Sequence, residues 1–81
     1  MSGERVLIVE DDQATSSAMR AVFARRGWEV DEVMTVAEGI ASLESQPDWV
    51  ILDLLLPDGC GEAVLRQARR RSRPVRVAVW P

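Results

Sequence analysis

The chain has 81 residues, of which 47% are hydrophobic and 28% charged, and a formal net charge of -3. This balance is typical of one small globular domain, and no apolar stretch approaches the roughly 18 residues of a membrane span. The single cysteine, Cys60, and the absence of histidine exclude a disulfide framework and a zinc site. Since the first residues also lack a signal-peptide pattern, we expect a cytoplasmic protein.

The first part of the chain predicts a strand and a helix. Arg5–Val9 is a β-branched run of the kind found in buried strands. It is followed at once by three acids, Glu10, Asp11 and Asp12. Asp12 is predicted to open the next helix, whose positive amino end favours negative charge. Apolar residues at helical spacing predict an amphipathic helix over residues 13–26, ended by Gly27.

The middle of the chain predicts an exposed strand, a helix and a buried strand. Residues 28–33 alternate apolar and acidic side chains, which is typical of a half-exposed strand at a sheet edge. The Thr-Val-Ala-Glu sequence of residues 35–38 has the form of a capping box, and Pro47 ends the helix that follows. The dense apolar run 50–56 predicts a buried parallel strand. Because a lone carboxylate is costly to bury, we expect Asp53 where this strand emerges from the sheet.

The last part of the chain predicts a third helix and a fourth strand. Asp58 is expected to cap a helix over residues 61–71, and residues 74–80 follow as a strand. The βαβαβαβ order then predicts parallel strands with right-handed crossovers in one open, doubly wound α/β sheet. We expect a single domain over residues 1–81. No glycine-rich phosphate-binding pattern occurs, so nothing indicates a nucleotide.

The acids that follow the two buried strands are expected to meet. Ligands of such sheets gather outside the carboxyl ends of the strands, where Glu10, Asp11 and Asp53 would lie. Converging carboxylates repel one another unless a cation neutralises them, and oxygen ligands of this kind suit Mg²⁺. Mg²⁺ keeps positions open for phosphate oxygens, so a carboxylate beside it could attack a phosphoryl group. Asp53 is the candidate nucleophile.

Two motifs carry a resemblance to a known family. They are Val6-Leu7-Ile8-Val9-Glu10-Asp11-Asp12 and Ile51-Leu52-Asp53-Leu54-Leu55-Leu56-Pro57-Asp58-Gly59-Cys60-Gly61. Together they resemble the receiver domain of bacterial two-component response regulators, in the group with a Leu-Pro-Asp-Gly loop. The resemblance implies a flavodoxin-like open sheet with strand order 2-1-3-4. It also implies site roles: phosphoacceptor for Asp53, direct Mg²⁺ ligand for Asp11, water-mediated ligand for Glu10, and backbone carbonyl ligand for Leu55.

The sequence also departs from the family's pattern. Receivers carry a Ser or Thr at the end of the fourth strand and a Lys at the end of the fifth, and both contact the phosphoryl group. Here the hydroxyl position falls on Val79 or Pro81, and neither side chain can donate a hydrogen bond. All ten basic residues are arginine. The family's fourth helix, fifth strand and fifth helix have no counterpart, so we expect a receiver truncated after its fourth strand.

This truncation would expose apolar surface. The fourth strand becomes a sheet edge and one face of the sheet lacks a helix, which a monomer rarely leaves bare. We therefore expect self-association through that face or through the edge of residues 75–80. Pro74, Arg76 and Pro81 blunt strand pairing and favour the face.

The function expected from these observations is signalling. We expect a switch, without enzymatic turnover, that takes a phosphoryl group from a histidine kinase onto Asp53. The missing hydroxyl and lysine favour an alternative, a degenerate receiver that works as a dimerisation or docking module. An aspartyl phosphatase is disfavoured because Leu55 stands where a second acid would be needed. The late arginines are interpreted as a solvated helix end, since the net charge is -3 and no aromatics are interleaved with them.

Overall fold

The computed structural model describes residues 4–80. The strands are β1 (Arg5–Val9), β2 (Glu29–Val33), β3 (Trp49–Asp53), β4 (Leu55–Leu56), β5 (Gly59–Cys60) and β6 (Arg76–Trp80). The helices are α1 (Gln13–Arg25), α2 (Val36–Ser42) and α3 (Glu62–Arg69), and a 3₁₀ turn, Leu43–Ser45, follows α2. In this part of the chain no helix has the length and apolar character needed to cross a bilayer.

The main sheet has four parallel strands in the order β2-β1-β3-β6. This confirms the predicted order 2-1-3-4, because β6 is the strand predicted fourth and the short strands β4 and β5 form a separate antiparallel hairpin. β2 is an edge strand with partly exposed side chains, as its alternating pattern predicted. The opposite edge of the four strands is β6.

The two faces of the sheet are covered to different extents. On one face, Leu7, Val50 and Leu52 form the core together with Val64 of α3, and all four are almost completely buried. On the other face, Ile8 is buried on the side where α1 lies against β1 and β2. Side chains alternate between faces along a strand, so β1 and β3 can be buried on both faces of the sheet. The acids at the carboxyl ends of these strands lie at one edge of the sheet, between the two helix layers.

Part of the α1 face remains uncovered among the described residues. We call it the open face: Trp49 and Ile51 of β3, with their register partners Arg76 and Ala78 of β6. Ile51 is half-buried and Ala78 is exposed. The guanidinium carbon of Arg76 lies 5.5 Å from the centre of the Trp49 ring. The predicted apolar stripe of α1 is also partly bare, since Val22 is 53% exposed.

Local capping explains where the first two helices begin and end. Asp12 caps α1 by accepting from the Thr15 amide at 2.9 Å, and Gly27 follows the helix with φ +81°, a conformation that favours glycine. At α2, Thr35 accepts from the Glu38 amide at 3.1 Å, while the Glu38 carboxylate accepts from the Met34 amide at 3.0 Å. The predicted capping box is therefore formed.

Two local predictions were wrong. The strand expected over residues 50–56 ends at Asp53, because the chain bends at Leu54 and then forms the β4–β5 hairpin, which turns back at Pro57 and Asp58. The third helix is shorter than expected, and Gly61, not Asp58, stands at its N-cap without a side-chain hydrogen bond. Asp58 lies at the tip of the hairpin and accepts hydrogen bonds from the start of α2 instead.

Candidate functional site

The acids that follow β1 and end β3 meet at the carboxyl edge of the sheet. Glu10 and Asp11 come directly after β1, and Asp53 is the last residue of β3. One carboxylate oxygen from each of the three lies within 4.8 Å of the others. Because β1 and β3 are adjacent and parallel, their register alone brings these side chains together.

Burial and mutual repulsion make negative charge on Glu10, Asp11 and Asp53 unfavourable. Glu10 is only 5% exposed, Asp53 is half-buried and Asp11 is exposed. Burial raises the pKa of the Glu10 carboxyl above its ordinary value, and although the Asp12 amide lowers it, the charge of Asp53 raises it further. Among residues 4–80 no arginine forms an ion pair with these acids. Within these residues, the negative charge of the cluster is therefore not balanced by an arginine.

The donor set fits a hard divalent cation. All three groups offer carboxylate oxygens, which Mg²⁺ prefers. Two oxygens on opposite sides of one Mg²⁺ lie about 4.2 Å apart, twice the Mg–O distance. A spread of up to 4.8 Å fits an ion bound directly by some of these carboxylates and through water by others. Glu10, Asp11 and Asp53 are therefore the residues that could hold the ion.

The segment after β3 fixes the orientation of the Asp53 carboxylate. The amide of Leu55 donates to Asp53 Oδ1 at 3.0 Å, which places the Leu55 backbone, the fourth predicted ligand, beside the acids. The Leu55 side chain is 77% exposed, so this residue acts here through its backbone. The bond leaves Asp53 Oδ2 as the oxygen not engaged by Leu55.

The predicted hydroxyl position offers no donor at this edge. Val79 of β6 lies opposite Leu52 in the parallel register, one residue before the partner of Asp53, and is 44% exposed. Pro81, the other candidate, lies outside the described residues. A valine side chain supplies neither a hydrogen bond nor charge to a group on Asp53.

The contacts by which two residues support the site were not predicted from the sequence. A Cβ atom at Gly61 would overlap the carbonyl oxygen of Asp53, so only glycine fits there although its φ is an ordinary -62°. Asp58 accepts hydrogen bonds from the amides of Val36 at 2.7 Å and Ala37 at 3.1 Å, at the start of α2. A glycine directly before a helix was the available signal for Gly61. Asp58 had none, because its partners lie more than 20 residues away along the chain.

The family comparison agrees with this geometry. Residues 6–80 match the family model of the response regulator receiver domain. The chain belongs to this family. The receiver domain is 41% identical over 68 residues to the KDP operon transcriptional regulatory protein KdpE of Escherichia coli K12, and 33% identical over 76 residues to the DNA-binding dual master transcriptional regulator RpaA of Synechocystis. These alignments cover 83% and 93% of this chain, but only 30% and 32% of the two regulators.

Solved structures give the same result for the fold. A CheY-like response regulator receiver domain from Methylobacillus flagellatus superposes with a TM-score of 0.85 at 28% identity, over 96% of this chain and 69% of that one. The MaeR response regulator bound to beryllium trifluoride gives a TM-score of 0.83 at 30% identity, over 96% of this receiver and 66% of MaeR. The predicted flavodoxin-like, receiver-type fold is thereby confirmed.

Proposed function

We propose that this receiver domain accepts a phosphoryl group on Asp53, in a site that binds Mg²⁺ through Glu10, Asp11, Asp53 and the carbonyl of Leu55. The observation that carries the proposal is the convergence of three carboxylates at the ends of two adjacent parallel strands in a member of the receiver family. The phosphodonor would be a histidine kinase, in the cytoplasm. The domain would act as a switch and not as an enzyme with turnover.

The residues would divide the chemistry as follows. An oxygen of Asp53 attacks the phosphorus atom, a P–O bond to the carboxylate forms, and the P–N bond to the donor histidine breaks. The Leu55 amide holds the other oxygen and so orients the attack. Bound Mg²⁺ would neutralise the charge that gathers on the phosphoryl oxygens. Glu10 and Asp11 contribute by holding the ion, since their own charge would otherwise repel the incoming group.

The test is phosphorylation by a small donor. The 81-residue chain is incubated with acetyl phosphate and Mg²⁺, and intact mass should show one added phosphoryl group. Asp53→Asn should show none, whereas Asp31→Asn, which removes a partly exposed acid of the edge strand β2, should behave like the parent chain. An unmodified parent chain, or an equal adduct on Asp53→Asn, would reject the proposal.

The phosphorylation experiment, combined with a measurement of ligand binding, separates a degenerate receiver from a working one. The absence of a hydroxyl at Val79 and of any lysine weakens the stabilisation of the transferring group. A chain that binds Mg²⁺ and beryllium fluoride, the ligand named for MaeR, but gains no phosphoryl group would be a degenerate receiver. A chain that binds neither would lack the site altogether.

We also propose that two copies associate through the open face. Support comes from its partly apolar surface and from its extension onto the edge strand β6, where Ala78 is exposed. Sedimentation velocity at micromolar concentration should show a dimer that Ala78→Glu disrupts. Ala41→Glu, on the exposed surface of α2, is the matched control and should leave it intact. A well-folded monomer in the parent chain would refute this association.

The arginines near the end of α3 do not support direct nucleic-acid binding by this domain. Arg71 pairs with Glu44 at 2.8 Å, and Arg73 pairs with Asp48 at 2.7 Å. These contacts tie the segment after α3 to the 3₁₀ turn and to the start of β3. Together with the net charge of -3, they favour the interpretation of a solvated helix end that also makes local ion pairs.

A further inference from the structure

The β4–β5 hairpin, which carries Leu55, is held at its base by the site itself. The Leu55 amide bonds to Asp53 Oδ1 at 3.0 Å, and the Gly61 amide bonds to the Leu54 carbonyl at 2.8 Å. Each strand of the hairpin has only two residues, and Leu55, Gly59 and Cys60 are all exposed. A hairpin this short is not stable by itself, so its position depends on contacts at both ends.

The other end of the hairpin is tied to α2. Asp58, in the turn between β4 and β5, accepts from the Val36 amide through Oδ1 at 2.7 Å and from the Ala37 amide through Oδ2 at 3.1 Å. The Val36 bond lowers the pKa of Asp58 more than any other contact, so the carboxylate is charged at neutral pH. Both oxygens are thus used on backbone donors that the helix itself cannot satisfy.

We propose that Asp58 is a positioning residue for the site: by tying the hairpin to the first turn of α2, it holds the Leu55 backbone where it can serve Asp53 and the metal ion. The contacts run in sequence from Val36 and Ala37 through Asp58 and the short hairpin to Leu55 and Asp53. This inference rests on the proposed Mg²⁺ site. The positioning role differs from the role expected from the sequence, in which Asp58 would only cap α3.

The coupling between Mg²⁺ binding and the contact of Asp58 with α2 must be reciprocal. If the tie at Asp58 raises the affinity of the site for Mg²⁺, then Mg²⁺ must stabilise the tie by the same factor, because coupling between two events is reciprocal. The amides of Val36 and Ala37 should therefore exchange hydrogen more slowly when the ion is bound. A carboxylate that only stabilised α2 would show no such response.

The test measures Mg²⁺ affinity and amide exchange in the whole 81-residue chain. Asp58→Ala should weaken Mg²⁺ binding by about fivefold or more, the lower end of typical coupling. Asp58→Asn keeps the shape and one acceptor oxygen, so its loss should be smaller. Glu62→Gln, which removes an equal charge from an exposed position at the start of α3, is the matched control and should stay within about twofold of the parent, because that charge is exposed and screened.

Calorimetric titration with MgCl₂ gives the affinities, and NMR exchange gives the protection of Val36 and Ala37. In the parent chain Mg²⁺ should slow exchange at both amides, and in Asp58→Ala it should not. Equal Mg²⁺ affinity in the parent and Asp58→Ala, with Mg²⁺-insensitive exchange in the parent, would overturn the positioning role while leaving the proposed function intact. A parent chain that binds no Mg²⁺ would overturn both. Thermal unfolding of each variant shows that it is folded.

Discussion

Gly61 lies so close to Asp53 that a Cβ atom at position 61 would overlap the Asp53 carbonyl oxygen. The contact sets how tightly the chain can return to begin α3 after the β4–β5 hairpin. The Gly61 amide also bonds to the Leu54 carbonyl at 2.8 Å, so Gly61 contacts the backbone of both Asp53 and Leu54. The shape of the site thus depends on a residue that carries no functional group.

Replacing Gly61 by alanine should disturb both stability and site. Because its φ of -62° suits any residue, the penalty is steric, and we expect a loss of about 1–3 kcal/mol in unfolding free energy. Gly27→Ala is the control, since it costs a similar ~1–2 kcal/mol through its positive φ but meets no atom within 4 Å. Denaturant unfolding should show two comparable losses. Only Gly61→Ala should also slow phosphorylation of Asp53, and equal phosphorylation rates would contradict this account.

Removing the buried charge of Glu10 should stabilise the metal-free chain. Two like charges 4 Å apart repel by about 1 kcal/mol even in bulk water, so Glu10→Gln should raise the melting temperature by roughly 4–8 °C. The same variant should lose most of the stabilisation by Mg²⁺, which for the parent reaches about 2.7 kcal/mol at 100 times the dissociation constant. Thermal unfolding with and without MgCl₂ measures both effects. A Glu10→Gln chain that is less stable than the parent without the ion would speak against charge repulsion in the cluster.

A hydroxyl introduced at position 79 should speed the phosphorylation of Asp53. A single well-placed hydrogen-bond donor is commonly worth about 10²–10³ in rate, so Val79→Thr should speed phosphorylation by at least about tenfold if position 79 faces the phosphoryl group. The site should tolerate the change because Val79 is 44% exposed. Val22→Thr makes the same change at an exposed position of α1 and should have no effect on the rate. Time courses with acetyl phosphate compare the three chains, and an unchanged rate would assign the hydroxyl position elsewhere.

The contribution of Asp58 to stability should depend on pH. The folded-state pKa of Asp58 is lowered, chiefly by the Val36 amide, so the carboxylate adds stability above the unfolded-state pKa of about 3.9. That stability is lost as the pH falls through the lower folded-state value. Asp58→Ala should therefore be less stable than the parent at pH 7, and the difference should shrink below about pH 4. Urea unfolding across this range tests the sign, and a difference that grows toward acid pH would be inconsistent with it.

The position of the acidic cluster follows from rules that act on single strands. Apolar runs predicted β1 and β3, and the acids at their ends had to meet once the strands were parallel neighbours. The capping of α1 by Asp12 and the capping box of α2 were likewise predictable, since their partners lie three or four residues away. Local chemistry was sufficient in each case.

The failures have a common cause in tertiary structure. Asp58 stands before a helix and was expected to cap it, but the hairpin turns its carboxylate toward amides 21 and 22 residues away. The unbroken leucine run did not reveal that the chain leaves the sheet after Asp53, because all three following residues are as apolar as the strand. The bare stripe on α1 depends on which elements pack against it, and no pattern within the helix encodes that.

The stacking of Arg76 on Trp49 has a practical consequence. An indole ring that is half in water shifts its fluorescence emission to shorter wavelength when the water around it is displaced. Trp49 belongs to the open face, so in a chain whose other two tryptophans are replaced by phenylalanine its emission provides an optical signal for any surface that docks there, with no added label.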